Sequence, residues 1–191
     1  MANTDNPNGF TAVRHLSGGT IRMGEYPIQS GHNGDSTGIF SGDVMTRDTD
    51  GYADIAAAGE AVLGIFAGCT YTATDGSVVF AKNLPADTAT KAAASITAFI
   101  YDDPMTVFKA QHDGTGAFAD NGGCFDVTVG TGSTSNGRSG AELDTSTLAV
   151  TGQFKQLSLA GNTGNAWGAN AEVEVMVFEH ANNPAAGVGL A

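Results

Sequence analysis

Basic residues are scarce in this chain of 191 residues. Eight Lys and Arg stand against 20 Asp and Glu, a net charge of −12. A surface that holds DNA or RNA needs Lys and Arg to displace phosphate counterions, and an anionic membrane surface attracts the same charges. Nucleic acid and membrane are therefore not expected as partners. No stretch approaches the ~18 consecutive apolar residues of a membrane helix. The opening Met1–Pro7 has neither a basic nor an apolar region of the kind that directs export, so synthesis in a cytoplasm is expected.

Large apolar side chains are also few. Leu, Ile, Val and Phe make up 38 residues, about a fifth of the chain. With so high a net charge, that is near the level at which a chain fails to fold alone. The two cysteines, Cys69 and Cys124, fit no zinc spacing and define no disulfide framework. Two small buried hydrophobes are the expected reading, with a bridge left open.

Glycine is plentiful: 27 residues, twice the ~7% of an average protein. Combined with short apolar runs, it points to many strands and tight turns. Phe125, Val127 and Val129 alternate with Asp126 and Thr128, and Val173, Val175 and Val177 alternate with Glu172 and Glu174. That period marks antiparallel strands with one buried face. Leu148, Val150, Gly152 and Phe154 continue the pattern, with a phase slip that predicts a bulge near Lys155-Gln156. Asp50-Gly51, Asp75-Gly76 and Asp113-Gly114 are turn signals, and Gly31–Gly38 is a turn cluster. Residues 55–68 read as strand–turn–strand, with Val62–Ala67 buried. Gly130–Gly140 reads as a long surface loop, and the tail beyond Asn182 as flexible.

The expected fold is all-β and mainly antiparallel: β-barrel or β-sandwich modules with long Gly-rich loops. Residues 1–14 form an extended arm, 15–84 an N-terminal module and 93–191 a C-terminal module, or the two modules form one continuous domain.

Catalytic templates fit poorly. Gly137-Arg138-Ser139-Gly140 lacks the spacing of a nucleophile elbow, and Gly130-Thr131-Gly132 lacks the Lys of a phosphate loop. Asp48-Thr49-Asp50-Gly51 lacks the ligands of a calcium loop and reads as a turn. His15, His32, His112 and His180 are isolated and read as surface or edge residues. Asp102-Asp103 before Pro104 reads as a turn, and Glu172/Glu174 as a solvated strand face. No catalytic residue, metal or cofactor is expected. Trp167, the one Trp, is either an exposed binding anchor or a cover over one end of a sheet.

Several segments taken together resemble a family of structural proteins of tailed bacteriophages, encoded beside the major capsid protein. They are Ile39–Val44, Asp50-Gly51-Tyr52, Leu63–Tyr71, Asp75-Gly76 with Val79-Phe80, Tyr101–Pro104 with Val107–Gln111, Gly137–Gly140, and Asn165–Gly168 running into Val173–His180. The resemblance implies a non-enzymatic virion component. It suggests a cement or decoration protein on the capsid exterior that bridges major capsid subunits and associates with itself, a homotrimer being favoured. Phe10, Val13 and Arg14 of the arm, together with Trp167, are the candidate contact residues. Competing readings are a tail-tube protein or head fibre, a carbohydrate-binding β module built on Trp167, and a calcium-stabilised adhesin.

Overall fold

The computed structural model describes residues 3–29, 38–91 and 95–182. The predicted turn cluster Gly31–Gly38 and the tail beyond Asn182 lie almost wholly outside them, as does His32. The fold is all-β, with 44% of residues in strands. The strands are β1 (Thr11–His15), β2 (Gly24–Ile28), β3 (Val44–Arg47), β4 (Ala53–Ile55), β5 (Gly64–Thr72), β6 (Val78–Ala81), β7 (Ile96–Tyr101), β8 (Thr106–Gln111), β9 (Thr115–Gly116), β10 (Cys124–Phe125), β11 (Val127–Thr128), β12 (Glu142–Leu143), β13 (Phe154–Leu159), β14 (Gly168–Ala169) and β15 (Glu172–Val177). Two 3₁₀ turns, Phe118–Asp120 and Thr145–Thr147, are the helical elements among the described residues.

One sheet runs β1-β8-β15-β13-β10, and a second runs β2-β7-β5-β3-β4, with β6 also paired to β5. Every strand pair in them is antiparallel. The pairs β11-β12 and β14-β9 are small separate ribbons. The segments interleave. The arm supplies β1 to a sheet otherwise built from the C-terminal half. β7, which opens the expected C-terminal module, joins the sheet of the N-terminal half.

Alternation along the strands explains the packing. Val173 faces Ala110 and Val175 faces Phe108 across β15 and β8, and all four are buried. They form one cluster with Phe10, Phe125, Phe154 and Leu143, and with Val44 and Ile65 of the other sheet. Their immediate neighbours Met45 and Phe66 point the opposite way, into a second cluster with Ile28, Ile96, Ala98 and Ile100. Ile39 and Leu84 close that second cluster through a mutual pair of backbone hydrogen bonds of 2.8 and 2.7 Å.

The bulge in β13 falls at Leu157, between Gln156 and Ser158, one residue beyond the expected place. The alternation before it misleads. Leu148–Gly152 is not a strand, and Val150 is 89% exposed. Leu148 instead follows the Thr145–Thr147 turn, which Asp144 caps by accepting from the Ser146 N–H. Val129 also lies beyond the end of β11 and is exposed. The Gly130–Gly140 loop is not a plain surface loop, because Ser139 is buried and Gly132 packs against the Phe40 ring.

Candidate interaction surface

The expected contact residues do not form one patch. Phe10 is 3% exposed and offers no surface to a partner. Its ring packs on Phe154, and its N–H donates to Gly42 O at 2.9 Å.

Val13 and Arg14 lie on β1, at the edge of the five-stranded sheet. Register there passes from Ala12↔Phe108 to Arg14↔Val107, so Val13 is the extra residue of a bulge. A bulge twists an edge strand and re-aims a side chain, and Val13 is 48% exposed. Exposed Leu16 and Met105 follow, joined by a 2.9 Å bond from Leu16 N–H to Met105 O. Arg14 is tied back to Glu174 on β15, with Nη2 to Oε2 at 2.7 Å. Glu172 pairs likewise with Lys109 at 3.4 Å. The polar face of β15 is therefore ion-paired as well as solvated.

Trp167 is half-buried, rests on the first core cluster, and meets Phe118 edge-on at 6.2 Å. Phe118 is largely exposed. The start of the arm reaches this end of the molecule. The Asn3 side-chain amide donates to Ala166 O and Ala169 O and accepts from the Ala166 N–H. A neighbouring cleft of about 310 Å³ is lined by amide side chains including Asn3, Gln111 and Asn165. Gln111 is engaged by Thr4, Asn6 and Asn170, and Asn165 by Ala160 and Glu172. These amides staple the arm and the loop in place. They are not free to bind hydroxyl groups of a sugar, which weakens the carbohydrate-binding reading of Trp167.

The strongest convergence joins motifs that looked separate. Ser41 N–H donates to Gly137 O, and Ser139 N–H donates to Ser41 O. Asp43, 4% exposed, accepts from the Phe40 N–H at 2.6 Å and bonds the Ser139 side chain. Burial raises its carboxyl to about 6, and those two hydrogen bonds oppose the rise. Gly9 also belongs to this knot, since a Cβ there would lie 2.6 Å from the Ser139 Cβ. The arm, the Gly42-Asp43 turn and Gly137–Gly140 thus form one structural node.

Two histidines expected at the surface are buried: His112 at 0% and His180 at 2% exposure. Gln156 uses its NH₂ on Asn121 Oδ1, so its Oε1 accepts from His112 Nε2 at 2.8 Å. That leaves His112 Nδ1 buried without a partner. His180 Nε2 donates to Asp102 O, and its Nδ1 accepts from the Asn182 N–H. Both rings are held neutral by burial, and both are pushed below the ordinary histidine value.

One arrangement holds the elements of a nucleophile relay. Ser17 Oγ lies 2.9 Å from His15 Nδ1, and His15 Nε2 lies 3.3 Å from Asp103 Oδ2. Ser17 and its neighbours Leu16, Gly18 and Gly19 are all exposed, so nothing excludes water from the hydroxyl. His15 Nδ1 also receives the Ser17 N–H, and the group caps a turn. Ser139 bonds Asp43 and has no imidazole among its hydrogen-bond partners. Asp48 accepts from the Tyr52 N–H at 2.8 Å, as a turn residue. Among the described residues no three His, Cys, Asp or Glu side chains converge on a metal position, and no helix is long and apolar enough to cross a membrane. Cys69 and Cys124 are both buried free thiols.

No family model, curated protein or solved structure matches the chain.

Proposed function

We propose that this chain is a non-enzymatic structural protein of a tailed-phage particle, a cement or decoration protein on the outside of the head. The observation that carries the reading is the set of large apolar side chains standing exposed on two strands and on one 3₁₀ turn. They include Val13 on the bulged β1 edge, Phe118 beside Trp167, and Val78 and Phe80 on β6. Such patches mark protein contacts more often than solvent-facing surface. The segments that carry the resemblance support the same reading, since Ile39–Val44 and Gly137–Gly140 interlock with the arm.

Packaged DNA pushes capsid subunits apart. A protein bound across neighbouring subunits makes their separation cost its own contacts too, and interfaces of this kind bury ~1,200–2,000 Å². Repetition over the lattice multiplies the effect. A tail-tube or head-fibre role draws on the same exposed side chains and differs in the assembly formed.

The test uses heads built from the major capsid protein of the same genome and lacking this chain. Added protein is expected to co-sediment with them and to raise the temperature at which they release DNA. Protein that stays in the supernatant overturns the reading. Rings or tubes of the pure protein in negative stain transfer it to the tail.

A further inference from the structure

We infer that β6 is a self-pairing edge through which two copies of this chain join into one continuous β-sheet. β5 is flanked by β7 on one side and by β3 and β6 on the other. The outer side of β6 has no strand partner among the described residues. The backbone pattern sets which groups face outward. Ala73 N–H donates to Ser77 O at 2.8 Å, so Ala73 and Ser77 form a hydrogen-bonded pair. Alternation along an antiparallel ladder then turns Val79 and Ala81 toward β5, and the N–H and C=O groups of Val78 and Phe80 away from it.

The side chains at those two positions are equally open: Val78 is 64% and Phe80 76% exposed. By register, Phe80 pairs with Thr70, Thr70 with Thr97, and Phe99 with Gly68, so all lie on one face of the six-stranded sheet. Ile65, at the other end of that face, packs into the core shared with the five-stranded sheet. The β6 end stays uncovered and forms a hollow of about 420 Å³ whose walls include Met23, Ala67, Phe80, Phe99 and Tyr101. A hydrophobic edge strand with no charge, proline or bulge is a template for another strand.

The occupant that fits is a second copy, because the segment is complementary to itself. Reading Asp75-Gly76-Ser77-Val78-Val79-Phe80-Ala81-Lys82 antiparallel to its own copy, with the two-fold axis at Val79, sets Val78 opposite Phe80 of the partner copy. The outward groups of each then exchange hydrogen bonds. The same register brings Lys82 of each copy beside Asp75 of the other, opposite charges at both ends. For a chain of net charge −12, such an uncharged strand with balanced ends is where two copies approach with least repulsion. The contact is isologous and closes after two copies, unlike the trimer favoured by the sequence reading. It does not depend on the capsid assignment.

Light scattering on the eluting pure protein tests it. Wild type is expected at twice the chain mass. Phe80→Lys, which puts a charge on the edge, and Val78→Pro, which removes an outward N–H and leaves the β5 ladder intact, are each expected to elute at the monomer mass with unchanged far-UV circular dichroism. Asp75→Lys is expected to weaken the dimer at least tenfold, and adding Lys82→Asp to restore it. A wild-type protein that stays monomeric up to its solubility limit overturns the inference. So does an oligomer of any size that persists in both folded edge variants.

Discussion

The rings of Phe10 and Phe154 stack with centroids 4.4 Å apart and planes inclined by 25°. Phe154 opens β13, near the middle of the five-stranded sheet, whereas Phe10 precedes the strand at its edge. The stack pins the arm across the sheet. Upstream of it the arm is held by polar contacts at Asn3, Thr4 and Asn6.

Phe10→Ala removes an almost fully buried ring from this stack. Large-to-small changes of this type cost about 3–5 kcal/mol, a large share of the stability of a domain this size. Urea unfolding is expected to show that loss, and limited proteolysis is expected to cut the variant before Thr11 under conditions that leave the wild type whole. A loss below about 1 kcal/mol would mean that the amide contacts, and not the ring, hold the arm.

Local patterns in the sequence revealed the strands and hid their neighbours. Val173, Val175 and Val177 were legible because a strand with one buried face alternates, and β15 buries only that face. Leu148 and Val150 alternate as well, yet the pairing there is a single bridge from Ala149 to Cys124, and period alone cannot report how far a pairing extends. Exposure failed for the same reason. Val78-Val79-Phe80 reads as an ordinary strand, and only the sheet order makes it an edge. The burial of His112 and His180 left no periodic trace, because the Nε2 of each bonds a residue far away in sequence, Gln156 and Asp102. Likewise, Asp43 and Ser139 are 96 residues apart, and no spacing rule links a Gly-Asp turn to a Gly-Arg-Ser-Gly loop.

Gly130 and Gly140 show how closely that loop is threaded. A Cβ on Gly130 would sit 1.8 Å from Gly140 O, a backbone atom that cannot rotate away. Gly130→Ala is therefore expected to destabilise by more than about 2 kcal/mol through forced backbone movement. Gly161, which a Cβ would leave clear of other atoms, is the control. Gly161→Ala is expected to stay within about 0.5 kcal/mol of wild type. Equal melting temperatures for the two variants would contradict the packing of this loop.

The two cysteines lie in different surroundings. Cys69 is in the second core cluster, and Cys124 begins β10 with its thiol directed at Val150 O. Burial raises Cys69 to about 11, which leaves little thiolate to react at neutral pH. Reductant is expected to leave the melting temperature unchanged, and thiol titration to find two free groups only after unfolding. A single fast-reacting thiol in the native protein would contradict this.

The response to pH sets two kinds of buried group against each other. Neutral His112 and His180 titrate below their unfolded value of 6.5. The unfolded chain therefore takes up their protons first, and their contribution is present above pH 6.5 and lost as pH falls. Asp43 and Glu142 are raised to about 6 and about 7 from 3.8 and 4.5. Their contributions run the other way. They are full below the unfolded values and lost as pH rises through the folded ones. For Glu142 burial is the main cause, with the Asp5 and Asp113 carboxylates adding to it, and its Oε1 has no hydrogen-bond partner. As pH falls below 6.5 the histidines favour the folded state less and the carboxyls favour it more, so the two pairs oppose one another. Glu142→Gln removes one opposing group. The variant is expected to match wild type at about pH 3, below the unfolded value of 4.5, where the carboxyl is protonated in both states. At pH 8 it is expected to be more stable by about 1 kcal/mol, a figure reduced for the partial exposure of the side chain. That corresponds to a melting temperature about 2–4 °C higher at pH 8. Melting curves at the two pH values decide it: a difference that does not change with pH would place the cause in packing and not in the charge of Glu142.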